Sequence, residues 1–254
     1  IQIHHRLDGP TDGPVLVFSN SLGTDLRVWD GVLEHLPNRF RILRYDTRGH
    51  GLSDAPEGDY DMRDLVKDAG DLIEHLGLSN VLFVGLSIGG ITAQGLAAAR
   101  PHLLKGAVFM DTAAKIGTEE MWNARIAAIK TGGIEGLHDA IMERWFTAPF
   151  RSDANRLRPW SNMLTRTPRH GYIGCCRAIA NSDLYESTSR LRLPVLGIGG
   201  SEDGSTPPDL VRETTELVPG GRFELIEGVG HLPCVEAPER TARLIANFAD
   251  EIFG

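Results

Sequence analysis

In the stretch Val81 to Gly90, VLFVGLSIGG, an apolar run ends in a serine flanked by glycines at 85 and 89. A serine hydroxyl is a weak nucleophile at neutral pH. It becomes effective when a base within hydrogen-bond reach takes its proton and an acid orients that base. The local pattern fits a sharp strand-to-helix turn, with Gly85-Leu86-Ser87-Ile88-Gly89 followed by a helical ITAQGLAAAR. Only small neighbours avoid a clash in such a turn, which accounts for Gly85 and Gly89, while Gly90 leaves room for close helix packing. The competing reading is a glycine-rich strand-to-helix turn whose serine merely caps the helix; the pentapeptide alone does not separate the two, and its placement between strand and helix favours the nucleophile elbow.

A serine on such an elbow finds its partners further along the chain, in the order serine, acid, histidine. Nine histidines compete for the base. His231, in EGVGHLPCVEAPE, follows the strand-like FELI on a glycine-flanked loop and precedes the last helical pattern. His35, His75, His102 and His138 fall in or beside helical segments, His4 and His5 on the first strand, and His170 in a helical interval. His50, in DTRGHGLSD, is the serious rival, but it precedes the serine and reads as structural. For the acid, Asp203 in VLGIGGSEDGSTPP lies just after a strand on a Gly/Ser/Pro-rich loop. The competing position is Asp111, which ends the strand-like AVFM; chain order favours Asp203. Acyl transfer also needs donors aimed at a developing oxyanion. The backbone N–H of Ile88 is one, and the loop Ser19-Asn20-Ser21-Leu22-Gly23 supplies the other through Leu22.

These groups need a frame. Apolar runs at 15–18, 41–45, 81–84, 107–110, 195–198 and 223–226 alternate with amphipathic stretches at about 26–36, 61–76, 88–100, 207–218 and 236–253. That alternation predicts an α/β fold, a mostly parallel sheet flanked by helices. From 112 to 188 the rhythm breaks: no clear strand appears, and three tryptophans (Trp122, Trp145, Trp160) accompany helix-like pieces such as EEMWNARIAAIK. So long a loop must fold on itself. The expected organisation is a core domain of 1–111 and 189–254 with an inserted helical cap, 112–188, across the sheet's C-terminal edge, where ligands of open α/β sheets bind.

Composition narrows the function classes. The chain has 254 residues, 41% hydrophobic and 24% charged, enough for a sizeable core. A net charge of -8 and scattered basic residues argue against a nucleic-acid partner. No apolar run approaches the roughly 20 residues that cross a bilayer, so no membrane partner is expected. The cysteines Cys175, Cys176 and Cys234 are odd in number, no disulfide framework, and a reducing cytoplasm is the expected location. Neither CxxC nor HExxH occurs, so no metal or other cofactor is expected.

With these residues in place the chain resembles the α/β-hydrolases along essentially its whole length. Within them it is similar to the 3-oxoadipate enol-lactonases (β-ketoadipate enol-lactone hydrolases) of bacterial aromatic catabolism. RYDTRGHG (44–51) and GLSIGG (85–90) carry the broad resemblance, and NSLGTDLRVW (20–29), DTAAKIGT (111–118) and ERWFTAPF (143–150) the narrower one. Many relatives have His-Gly where this chain has Asn20-Ser21. The resemblance implies a triad of Ser87, Asp203 and His231, an acyl-enzyme mechanism without cofactor, and a lactone substrate bearing a free carboxylate. Arg125, one helical turn from Trp122, is the first candidate to pair with that carboxylate, with Trp122 and Trp145 as walls and Arg144 and Arg177 as further candidates. Carboxylesterase or carbon–carbon bond hydrolase activity would use the same three residues, as would a ligand receptor of this fold with little turnover. Dehalogenases and epoxide hydrolases resemble this fold with aspartate at the elbow, where position 87 is serine.

Overall fold

The computed structural model spans residues 1–254. Seven strands, His5–Asp8 (β1), Val15–Ser19 (β2), Arg41–Tyr45 (β3), Val81–Leu86 (β4), Leu104–Met110 (β5), Val195–Gly200 (β6) and Arg222–Ile226 (β7), form one sheet in the order β1-β3-β2-β4-β5-β6-β7. All neighbouring strands run parallel except β1, which is antiparallel to β3. Helices cover both faces, so the central strands read as unbroken apolar runs, and every residue of β4 and β6 is buried. β7, at the edge, alternates exposed and half-buried residues before its buried last position, Ile226.

The helices follow their sequence signals. Met62–His75 opens on a capping box in which Asp61 and Asp64 exchange hydrogen bonds with each other's backbone, and buries Leu65, Ala69, Leu72 and Ile73. Gly77, at φ +65°, ends it. The helix expected over 26–36 is instead a 3₁₀ turn, Leu26–Trp29, followed by the single α-turn Asp30–Leu33. Gly31 weakens the pattern, and the Asp25 carboxylate, by accepting the Arg27 N–H, fixes a tight entry.

Between β5 and β6 the chain makes only helices, the longer ones being Glu119–Gly132, His138–Trp145, Ala154–Thr165 and Arg169–Ala180. Their apolar faces join the same buried cluster as the sheet, through Trp122, Ile126, Trp145, Phe146 and Tyr172. One seam is backbone against backbone: a Cβ on Gly49 would lie 2.6 Å from the Gly171 Cα. Glycine at both positions lets the Arg169–Ala180 helix settle onto the loop after β3.

Candidate active site

Ser87 sits between β4 and the helix Ile88–Ala99 at φ 58°, ψ −116°, a conformation rarely adopted by a residue with a side chain. The surrounding backbone enforces it. The Ser87 N–H donates to the Met110 carbonyl (2.9 Å), and its own carbonyl accepts from the Gly90 N–H (2.8 Å) and the Thr112 hydroxyl (2.6 Å). A Cβ on Gly85 would meet the Gly89 carbonyl oxygen at 2.1 Å, and one on Gly89 would meet the Ser19 carbonyl oxygen at 2.4 Å. The Ser87 side chain makes no capping hydrogen bond to its helix. Its oxygen has no protein partner, yet it is not among the polar atoms sealed from solvent. It is therefore presented to the adjoining cavity.

Asp203 and His231 meet on the loops after β6 and β7. His231 Nδ1 lies 2.8 Å from Asp203 Oδ2, both side chains being almost wholly buried. An ionised carboxylate only accepts, so the imidazole donates from Nδ1, which leaves Nε2 free to accept a proton. The same carboxylate accepts from the Ser205 N–H (2.6 Å), the Thr206 N–H (3.1 Å) and the Thr206 hydroxyl (2.7 Å). Burial alone would push this carboxyl upward, but the His231 charge and hydrogen bond, with those from Thr206 and Ser205, hold it below the usual carboxylate range. Asp111, the competing acid, lies behind this pair. Its Oδ1 accepts the Gly200 N–H at 2.8 Å rather than an imidazole proton.

The two expected oxyanion donors are both unengaged. The Leu22 N–H donates to nothing in the chain, and Ile88, as the first residue of its helix, has no intrahelical acceptor. The Leu22 loop is held from behind by His50, whose Nε2 accepts the Gly23 N–H at 2.9 Å while Nδ1 faces the Arg48 carbonyl at 3.2 Å. Burial pushes the His50 pKa down, against the opposing bond to Arg48, and the neutral ring is the form that can accept. Asn20 is likewise structural: it donates to the Tyr45 carbonyl (2.7 Å) and accepts from Trp29 Nε1 (2.9 Å).

Ser87 and His231 line one cavity of about 80 Å³, roofed by the helices between β5 and β6. All of Leu22, Trp122, Arg125 and Trp145 also reach it. The Arg125 guanidinium stacks 4.9 Å from the Trp122 ring centroid, and neither it nor Arg144, which shares the lining, forms an ion pair. Arg177 does not reach this space and instead pairs with Asp59 at 3.6 Å. Trp160 faces a larger open groove of about 810 Å³ that contains neither Ser87 nor His231. Sequence reasoning missed Thr206 and Tyr172. The first had a usable signal, a hydroxyl three residues after an acid on a turn; Tyr172, whose neighbours along the cavity wall are remote in the chain, had none.

A profile of the alpha/beta hydrolase family matches residues 16–244. The 3-oxoadipate enol-lactonase 1 of Acinetobacter baylyi is 34% identical over 248 residues, 97% of this chain and 92% of that one. The 3-oxoadipate enol-lactonase 2 of the same organism is 33% identical over 240 residues, 94% and 90% of the two chains. Among solved structures, the enol-lactonase from Burkholderia xenovorans LB400 aligns with a TM-score of 0.94 at 34% identity, over 98% of this chain and 96% of that one. A profile match running from β2 through β7, with full-length relatives at this identity, means that the chain belongs to the alpha/beta hydrolase family.

Proposed function

We propose that the protein is a serine hydrolase that opens 3-oxoadipate enol-lactone to 3-oxoadipate, a step in the breakdown of aromatic compounds. The observation that carries this reading is a serine and a carboxylate-paired imidazole opening onto a small cavity that also holds two guanidinium groups without acidic partners. In the proposed mechanism His231 Nε2 takes the Ser87 proton as Oγ attacks the lactone carbonyl, and the Leu22 and Ile88 N–H groups hold the resulting oxyanion. The C–O bond to the ring then breaks. The leaving group is an enol oxygen, so protonation through His231 and tautomerisation give a ketone, which makes the collapse strongly downhill. The acyl group stays on Ser87 until a water, deprotonated by His231, releases it as a carboxylate. Arg125 pairs with the substrate's free carboxylate, and Trp122 and Trp145 wall the ring. None of these steps calls for a cofactor.

The test is a steady-state assay that follows loss of the enol-lactone's ultraviolet absorbance, run beside a simple uncharged activated ester. The lactone should have the larger kcat/KM, and Ser87→Ala should lower kcat by on the order of 10⁶-fold while leaving ligand binding intact. A larger kcat/KM for the ester would make the protein a general carboxylesterase. Turnover that survives Ser87→Ala would remove the nucleophile from the mechanism.

A further inference from the structure

Asp111 directly follows β5, between the elbow and the acid loop, completely buried and at φ +42°. Its backbone N–H donates to the Ile198 carbonyl (2.9 Å), and its Oδ1 accepts the Gly200 N–H (2.8 Å). Oδ2 is sealed from solvent with no hydrogen-bond partner. Ligand atoms of Asp111, Asp203 and His231 all lie within 4.8 Å of one another. Two carboxyl groups thus share a dry space with one imidazole, and adjoining carboxylates do not both ionise there.

The distribution of donors decides which one keeps a proton. Asp203 accepts from Ser205, from Thr206 twice and from His231, whereas Asp111 accepts from Gly200 alone. The other titratable groups nearby add no positive charge: the Cys234 thiol is buried and pushed up by that burial, and the Glu236 carboxylate is engaged by Thr147 and the Gly230 N–H. Burial and the Asp203 charge push the Asp111 carboxyl well above the ordinary range.

We propose that Asp111 carries a proton on Oδ2 and donates it to the Asp203 carboxylate, a positioning residue that holds the acid against His231. This assignment rests on the proposed role of Asp203 as the acid of the triad. The orphan oxygen gains a partner by becoming a donor. The cluster then holds one negative charge, placed to match the imidazolium formed during turnover. The left-handed backbone at 111 is one that Asp and Asn tolerate better than other side chains, so Asp111→Asn keeps the main chain and a neutral N–H donor, and Asp111→Gly keeps the main chain alone.

The experiment is infrared difference spectroscopy of the full chain at neutral pH, wild type minus Asp111→Asn, joined to pH profiles of kcat/KM. The C=O stretch of a protonated carboxylic acid should be lost in Asp111→Asn, which should stay within about 3-fold of wild-type kcat/KM with an unmoved acid limb. Asp111→Gly should lose on the order of 10-fold or more, the value of a hydrogen bond to a charged group, and its acid limb should move to higher pH as Asp203, left with fewer donors, makes His231 more basic. Loss of a carboxylate band instead, or an acid limb moved to lower pH in Asp111→Asn, overturns the proposal, as does an acid band that survives in Asp111→Asn. The infrared reading needs no turnover, so an inactive protein with the acid band would refute the hydrolase reading and leave the proton on Asp111.

Discussion

Replacing His50 with alanine separates stability from catalysis at one residue. The ring Nε2 is the acceptor for the buried Gly23 N–H at 2.9 Å. Removing it strands that donor, a cost of about 1–3 kcal/mol, to which the vacated volume adds. Gly23 cannot find relief by moving the other way, because at φ +83° it already lies close under Leu164 and Tyr172: a Cβ there would sit 2.7 Å and 3.1 Å from their side chains. The adjacent Leu22 N–H, the proposed oxyanion donor, should therefore lose its aim. Complete loss of one such donor costs about 10²–10³ in kcat. A donor that is displaced rather than deleted should lose less, so His50→Ala is expected to lower kcat by roughly 10–100-fold with KM little changed. His50→Gln, whose Oε1 can accept in place of Nε2, should recover part of that loss. Stopped-assay kinetics with urea unfolding on the same samples make the comparison. An alanine variant that is less stable but has wild-type kcat would show that this bond does not position the donor.

Thr206→Val removes the hydroxyl that donates to Asp203 Oδ2 at 2.7 Å and should lower kcat/KM about 10-fold or more, with Thr206→Ser close to wild type in the lactone assay. Gly85→Ala should destabilise by about 3 kcal/mol or more, read by chemical denaturation, because the added carbon would meet a backbone oxygen at 2.1 Å and neither main-chain segment can yield. Arg125→Leu should raise KM for the lactone by about 10-fold or more and leave the uncharged ester's KM nearly unchanged. Because burial lowers the His50 pKa, the unfolded chain binds the extra proton below its ordinary value near 6.5. That contribution is fully present above about pH 6.5 and is lost as pH falls from there through the lowered folded-state pKa, so His50→Gln should show a shallower acid loss of stability in pH-dependent urea titrations.

The parallel core was legible because buried strands announce themselves as short apolar runs and because Gly85, Ser87 and Gly89 leave only one kind of turn between strand and helix. Asp203 and His231 could be ranked by their place after strands at one rim of the sheet, and the structure brings them to 2.8 Å. What spacing alone could not carry was contact between loops. Nothing periodic links His50 to Gly23 or Thr206 to Asp203, and Asp111 read as a rival acid because its bond to Gly200 depends on strand pairing. The 26–36 segment looked like a helix because its apolar residues are helically spaced, yet the turn is tightened by Asp25 and by the Asp46 carboxylate, which takes the Leu26 N–H at 2.8 Å.

The excursion between β5 and β6 leaves and re-enters on neighbouring strands held in fixed register, from Ala107 opposite Val195 to Met110 opposite Ile198. Its two ends are thus anchored side by side whatever lies between them. The proposed nucleophile Ser87 precedes the excursion in the chain and its proposed partners Asp203 and His231 follow it, so on that reading an exchange of the whole segment for another of different shape would alter which molecules fit while keeping the reacting atoms. One condition would bind any such transplant: opposite Gly49 it must offer bare backbone, as Gly171 does, or it will not seat.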